Sequence, residues 1–301
     1  MKVGVVGAGS IGLLFAAYLS RKFDVTVYTR TKAQAKEINT HGILVKKGAG
    51  RKEYLVNALP FGEWQAREDL SIITVKQYQL AGILAKINQW SALPKNLLFL
   101  QNGMAHLQQI ETILNGNLFV GSVEHGATRE NFNTVSHNGM GVTNVAVFRG
   151  DLQPLRQFIA AAPKDFPFVY QEQYNQMLVK KLIVNAVINP LTAILEVNNG
   201  ALIDNFYYYQ VAEKLFKEIT LILALKNESE YFQQVLDICR KTADNRSSML
   251  KDIEANRVTE IDAILGYILA EAKKQKKEAP LCQSLYLLIK GKETNKGGIV
   301  A

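Results

Sequence analysis

The N-terminal stretch constrains the fold more than any other. Lys2-Val3-Gly4-Val5-Val6 reads as a short buried strand, Gly7-Ala8-Gly9-Ser10-Ile11-Gly12 follows at once, and Leu13 to Leu19 is an apolar helical run. A strand that enters a helix through a glycine turn opens a βαβ unit and so commits the chain to a largely parallel sheet. The order is also the one that dinucleotide binding needs. Gly7 permits the tight turn, Gly9 lets a pyrophosphate approach the backbone, Gly12 lets helix and strand pack closely, and the helix N-terminus turns its free amides toward the phosphates. An ordinary glycine-rich turn is the alternative, and the pattern alone is a weak signal.

The second strand sharpens the reading. Asp24 to Tyr28 runs into Thr29-Arg30-Thr31-Lys32, where a site for NAD would place a carboxylate against the ribose hydroxyls. Here the position is basic. Arg30 and Lys32 suit a 2′-phosphate, so NADP is favoured over NAD, unless both are solvated charges at a strand end.

Short apolar runs at Ile72 to Val75, Leu97 to Leu100 and Phe119 to Ser122 have the character of buried parallel strands. Thr134 to His137 and Val142 to Phe148 alternate on either side of Asn138-Gly139-Met140-Gly141, which reads as a hairpin. A helix over Leu152 to Ala162 and a strand over Pro167 to Tyr170 follow. From Glu172 onward only helical periodicity remains, broken at Pro190, Asn198-Asn199-Gly200, Asn245 to Ser248 and Pro280. The expected architecture is an α/β, Rossmann-type doubly wound sheet over residues 1–170 and an all-α domain over 171–301, with the active site in the cleft between them. Loops at the carboxyl ends of the strands carry Lys76, which could meet cofactor phosphate or ribose, and Asn102, which could orient substrate or nicotinamide. A solvated lysine and an asparagine-glycine turn are their bland counterparts.

One helical stretch is unusual. In Lys181-Leu182-Ile183-Val184-Asn185-Ala186-Val187-Ile188-Asn189-Pro190, the polar residues Lys181, Asn185 and Asn189 recur at i, i+4 and i+8 and line up on one face. Buried amides need hydrogen-bond partners and a buried ammonium costs more, so the ladder must face a polar element, water or a ligand. A helix contact tied by the asparagines, with Lys181 reaching solvent, is the structural alternative. Pro190 cannot donate to Ala186 and should kink or end the helix at that point.

The chain has 301 residues, 48% of them hydrophobic, enough for a large core in two parts. Its net charge of +8 suits an anionic cofactor and substrate. Nucleic acid binding would need basic residues interleaved with aromatics on one surface, and none are seen. The dense cluster Lys273-Lys274-Gln275-Lys276-Lys277 closes a helix before Pro280, where cations complement the helix dipole, and reads as a solvated face. Apolar runs are expected to break before membrane-spanning length, and no signal segment is expected ahead of the first strand. Cys239 and Cys282 lack metal or redox spacing and read as buried free thiols of a cytoplasmic protein. No metal is expected.

With these residues in view, the chain resembles the ketopantoate reductase (2-dehydropantoate 2-reductase) family nearly end to end. The resemblance runs through Gly7 to Gly12, Arg30, Val75-Lys76, Gln101-Asn102-Gly103-Met104, Lys181 to Ala193, Asn199-Gly200, Ser247-Ser248-Met249 and Thr259-Glu260-Ile261-Asp262. It implies NADPH-dependent reduction of a small 2-oxo acid, ketopantoate, to (R)-pantoate in pantothenate and coenzyme A synthesis. It also implies site roles. Lys181 would hold the ketone oxygen and supply its proton, and Glu260 would bind the substrate hydroxyl and help position Lys181. Asn102, Asn185, Asn189, Asn199 and Ser248 would line the substrate site. Gly7, Ala8, Gly9, Ser10, Ile11, Gly12, Arg30, Lys76 and Asn102 would hold the cofactor. Structural roles stand beside these: Thr259 could cap a helix with Glu260 as a first-turn acid, and Ser248 could cap the helix starting near Met249. Glu196 stands where the family often has asparagine and adds a negative charge near the expected cleft. Two other functions fit the same residues: a paralogous reductase making another D-2-hydroxy acid, and an NADPH-binding sensor without catalysis. A homodimer is compatible with the sequence.

Overall fold

The computed structural model describes residues 1–89 and 95–294. The chain forms two compact units, one of residues 1–101 with 106–177, the other of residues 102–105 with the chain from Leu178 onward.

The first unit begins with β1 (Lys2–Val6), α1 (Ser10–Leu19), β2 (Asp24–Thr29) and α2 (Lys32–His41). Then come β3 (Ile43–Lys47), β4 (Gly50–Tyr54), β5 (Asn57–Pro60), β6 (Leu70–Ile73), α3 (Leu80–Ile87) and β7 (Asn96–Phe99). It continues with α4 (His106–Ile110), β8 (Asn117–Val123), β9 (Gly126–Arg129), β10 (Thr134–Gly139), β11 (Thr143–Arg149), α5 (Gln153–Ala161) and β12 (Phe168–Tyr170). The main sheet has the order β12-β11-β8-β7-β6-β1-β2-β5 and is parallel except where β11 runs against β8. Its central strands are apolar throughout because both faces are covered: Val3, Val5, Ile72, Leu98 and Phe119 are fully buried. Over one face, α1 sets Phe15 and Tyr18 against Phe166, edge-on at 5.1 Å and stacked at 4.6 Å between ring centroids.

A second sheet, β4-β3-β10-β9, corrects the expected hairpin. The strands on either side of Asn138-Gly139-Met140-Gly141 do not pair: β10 lies between β3 and β9, whereas β11 lies between β8 and β12. Neither Gly139 nor Gly141 takes the positive φ that a tight hairpin turn asks for. Gly141 instead passes against Glu124, whose carbonyl oxygen would lie 2.5 Å from a Cβ there. The segment is a crossing between sheets. Strand β4, Gly-Arg-Lys-Glu-Tyr, is exposed except at Tyr54 and has no apolar alternation to announce it.

The second unit is helical, as expected. It holds most of α6 (Tyr174–Leu195), then α7 (Ala201–Asp204), α8 (Phe206–Leu223), α9 (Glu228–Lys241) and α10 (Ser248–Glu254). A π-helical turn, Asp262–Gly266, leads into α11 (Tyr267–Lys274), and α12 (Pro280–Thr294) follows. Helix α6 departs from expectation twice. It continues through Pro190 to Leu195, because proline forfeits only its own bond to Ala186 and the residues around it are buried. It is also long and apolar enough to cross a membrane, but 67% of its most apolar window is buried inside the protein, as in a core helix. Cys239 and Cys282 are buried and free, and burial pushes the Cys239 thiol up to about 11. The lysines at the end of α11 are exposed apart from Lys277, which donates to Leu221 O at 2.6 Å.

Candidate active site

At the end of β1 the backbone of Gly7 takes φ +108°, and its N–H donates to Tyr28 O at 3.0 Å. A side chain is excluded at Gly12, where a Cβ would lie 1.7 Å from Gly7 O, so α1 approaches the turn closely. Gly9 differs: a Cβ there would meet nothing within 4 Å, and its backbone faces open space. Gly9 caps α1 without any side-chain cap bond. The first-turn amides of a helix have no acceptor within it, and those of α1 begin at this glycine.

Side chains not anticipated from sequence hold the turn in place. Thr74 donates to Gly7 O at 2.8 Å, and the Gln34 amide donates to Ala8 O at 2.9 Å. Arg129 donates its backbone N–H to Ser10 Oγ at 3.0 Å and its guanidinium to Ala8 O at 3.3 Å. An exposed arginine therefore stands beside the glycine turn, brought there by β9 from far along the chain. No local pattern marks it. Ile11 leaves the turn to pack on the core.

Arg30 is exposed at the end of β2, and Thr31 caps α2 by accepting from Gln34 N at 3.3 Å, with Lys32 as the first helical residue. Lys76 is half-buried just after β6, and its backbone N–H donates to Gln79 Oε1 at 3.3 Å. An open glycine backbone, a helix N-terminus and a basic strand end without a carboxylate fit an anionic dinucleotide with a 2′-phosphate. Among the described residues, no cluster of three or more His, Cys, Asp or Glu side chains is placed to hold a metal ion.

In the second unit, Lys181, Asn185 and Asn189 share one face of α6, the first two half-buried and Asn189 buried. Leu182, Ile183, Ala186, Val187 and Ile188 around them are buried, so the ladder is polar within an apolar helix. The turn after β7 brings in a distant partner: Asn102 donates to Glu260 Oε2 at 2.8 Å. Gly103 makes that approach feasible. It takes φ +78°, and a Cβ there would lie 2.0 Å from Ala263 O in the π-helical turn. Insertions of this kind recur at functional sites, where they re-aim the residues beside them.

Asn199 and Ser248 are placed less simply. Asn199 is buried, and its amide donates to Thr242 Oγ1 at 2.9 Å, tying the chain before α7 to the end of α9. Its Oδ1 is buried without a hydrogen-bond partner. The cap of α10 is Ser247, which accepts from Leu250 N at 3.1 Å, so the cap suggested for Ser248 falls one residue earlier. Ser248 is exposed at the first position of that helix. Ser247 also lies 2.8 Å from the Thr192 hydroxyl on α6, which fixes the start of α10 against the helix bearing the ladder. Glu196 takes a left-handed φ of 57° just past α6, which explains why asparagine suits that position. Its charge is paired with Lys292 at 2.6 Å, which holds the carboxyl below its usual range. Thr259 bonds Ile261 N through its hydroxyl at 3.2 Å, a local cap that leaves Glu260 to Asn102. Further along from Asn102, His106 is wholly buried with neither ring nitrogen partnered, and burial lowers its pKa to about 4.

Known proteins match nearly the whole chain. A family model described as ketopantoate reductase PanE/ApbA matches residues 3–150, and its C-terminal counterpart matches residues 173–293. The chain is 41% identical over 298 residues to a 2-dehydropantoate 2-reductase of Bacillus subtilis (strain 168), with 98% of each chain covered. It is 38% identical to the 2-dehydropantoate 2-reductase of Listeria monocytogenes, with 97% of each covered. The crystal structure of a probable 2-dehydropantoate 2-reductase from Bacillus subtilis superposes with a TM-score of 0.89 at 39% identity, covering 97% of this chain and 100% of that one. D-mandelate dehydrogenase with NADH and anilino(oxo)acetate shares the fold, with a TM-score of 0.90 at 23% identity over 98% and 99% of the two chains.

Proposed function

The chain belongs to the ketopantoate reductase family, and we propose that it reduces 2-dehydropantoate to (R)-pantoate with NADPH, a step of pantothenate and coenzyme A synthesis. The observation that carries the reading is the Asn102–Glu260 hydrogen bond, which joins side chains 158 positions apart in the unit that also carries Lys181, Asn185 and Asn189. Such a contact has little use in a fold that only binds a nucleotide.

When bound, NADPH supplies a hydride to the ketone carbon. As the carbonyl oxygen gains charge, the Lys181 ammonium stabilises it and transfers a proton to it, and the lysine is reprotonated from solvent. Glu260 accepts a hydrogen bond from the substrate hydroxyl. Asn185, Asn189, Asn199 and Ser248 line the site for the substrate's carboxylate and hydroxyl without adding a charge, and Asn102 orients Glu260. The backbone from Gly7 to Gly12, with the N–H groups of Ala8, Ser10 and Ile11, cradles the pyrophosphate, while Arg30 and Lys76 hold phosphate or ribose. Residence in the cytoplasm and assembly as a homodimer belong to the same reading.

The test is NADPH oxidation, with NADH in parallel, against ketopantoate, 2-ketoisovalerate, 2-ketoisocaproate and benzoylformate, using Lys181→Ala as the control. Preference for ketopantoate with NADPH is expected, with turnover of the variant lower by roughly two or more orders of magnitude and NADPH binding retained. Preference for benzoylformate or 2-ketoisocaproate would reassign the chain to a paralogous D-2-hydroxyacid dehydrogenase. Absence of turnover on all four would leave a non-catalytic NADPH-binding sensor.

A further inference from the structure

We propose that Glu293, in the last turn of α12, is a positioning residue for the reaction that acts by holding Glu260 toward its partner. The proposal rests on the reading of Glu260 as a substrate-binding group. An acid in the last turn of a helix opposes the helix dipole, so Glu293 sits where a carboxylate is disfavoured unless something else holds it. Its side chain is only 9% exposed. Glu293 Oε1 accepts two hydrogen bonds from one residue, Thr259: the backbone N–H at 2.8 Å and the hydroxyl at 2.7 Å. The same hydroxyl accepts from Ile261 N at 3.2 Å. Both chain neighbours of Glu260 are thus pinned, one directly by Glu293 and the other through Thr259.

A second anchor from the same helix lies just beyond. Asp262, the first residue of the π-helical turn, receives a hydrogen bond from Tyr286 Oη at 2.6 Å and pairs with Lys290 at 3.2 Å. Lys290 also pairs with the other oxygen of Glu293 at 3.0 Å, which balances the carboxylate's charge. Helix α12 therefore clamps residues 259 and 262 while leaving the side chain of Glu260 free to meet Asn102 at 2.8 Å. A carboxylate that accepts from both Thr259 donors sets the direction of the backbone entering Glu260. Misplacing a substrate-binding group by about 1 Å is enough to cost orders of magnitude in rate.

The experiment is a double-mutant cycle between Glu293→Ala and Glu260→Ala, read as KM for ketopantoate and kcat, with NADPH affinity and melting temperature measured on each protein. Glu293→Ala is expected to raise KM roughly tenfold with NADPH affinity unchanged. Glu293→Gln, which keeps an acceptor for both Thr259 donors, is expected to restore KM to within about threefold. In the Glu260→Ala background, Glu293→Ala should add nothing to the kinetic loss, although it still lowers the melting temperature. Additive kinetic effects, a fall in melting temperature with KM unmoved, or failure of the glutamine rescue would each overturn the proposal. If Glu293→Ala is too unstable to assay, Thr259→Val removes the hydroxyl end of the same contact, and an unchanged KM there overturns it equally. An unaltered KM in Glu260→Ala would remove the reading of Glu260 itself. A raised KM in Glu260→Ala with a normal one in Glu293→Ala removes only the role of Glu293.

Discussion

The glycine turn and the Asn102–Glu260 pair, the two places where the proposed reading puts cofactor and substrate, are built differently. The turn is a backbone device. Gly7, Gly9 and Gly12 lie within a few positions of one another, and what they do follows from the lack of a Cβ. The pair is a side-chain device assembled from residues 158 positions apart, one following β7 and the other entering a π-helical turn. A local device of the first kind fails by steric collision and takes structure with it. A distant device of the second kind fails by misorientation and can leave the fold standing.

The largest effect expected from this contrast is at Gly12. A methyl group there would lie 1.7 Å from Gly7 O, which backbone cannot avoid without separating α1 from β1. Gly12→Ala should cost on the order of 4 kcal/mol or more, the range of severe single substitutions, and abolish NADPH binding. Gly9→Ala is the matched control, because its Cβ meets nothing within 4 Å. It should melt within about 2 °C of the parent yet bind NADPH at least roughly tenfold more weakly, since the methyl occupies the face a pyrophosphate approaches. Thermal unfolding and fluorescence titration of the two variants check both halves. Equal behaviour would erase the distinction between a glycine needed for packing and one needed for ligand approach.

The same contrast explains which features are legible in the amino-acid sequence. The strand, turn and helix at the N-terminus were legible because periodicity and glycine spacing are local, and the change to helical periodicity after Glu172 was legible for the same reason. The polar ladder on α6 was legible because a helix turns spacing into a face. The second sheet was not: β4 is nearly all exposed, and β10 finds its partners in β3 and β9 rather than in its sequence neighbour β11. Arg129 was missed because only sheet pairing brings it to Ala8. Glu293 was missed because a lone acid near a helix end has no pattern to distinguish it. The cap went to Ser247 rather than Ser248 because two adjacent serines are equivalent in sequence and only the contact with Thr192 separates them.

A smaller effect, at the distant pair, is expected from Asn102→Asp. The parent amide donates to Glu260 Oε2 at 2.8 Å, and an aspartate would set a second carboxylate against it. Two carboxylates at such a distance cannot both ionise cheaply, so the pair holds one proton to a higher pH than either would alone. With the pair fully ionised the acids repel, Glu260 swings away, and kcat/KM should fall roughly a hundredfold. As pH drops and one proton is retained, a hydrogen bond can re-form, so the deficit should narrow on the acid side. The melting temperature should change little beside that of Gly12→Ala. A pH profile parallel to the parent's would show that the amide's contact with Glu260 does not matter to turnover.

The smallest effect is expected at Arg30, and it tests whether a side chain at the rim of the local device matters as its backbone does. Arg30 is exposed at the end of β2. Its removal should therefore leave folding untouched and act only on discrimination between cofactors. A charge-assisted contact to a 2′-phosphate is worth about 1 to 3 kcal/mol, and exposure to salt places this one toward the lower end. Arg30→Ala should accordingly narrow the ratio of kcat/KM for NADPH over NADH by about fivefold, mostly through weaker NADPH binding, and the narrowing should shrink as ionic strength rises. If the ratio holds, the phosphate is carried by another cation. Lys32, on the first turn of α2, and Arg129, beside Ala8, are then the residues to change next, and a loss at Arg129 alone would make recognition of the phosphate depend on sheet pairing rather than on the sequence around the glycines.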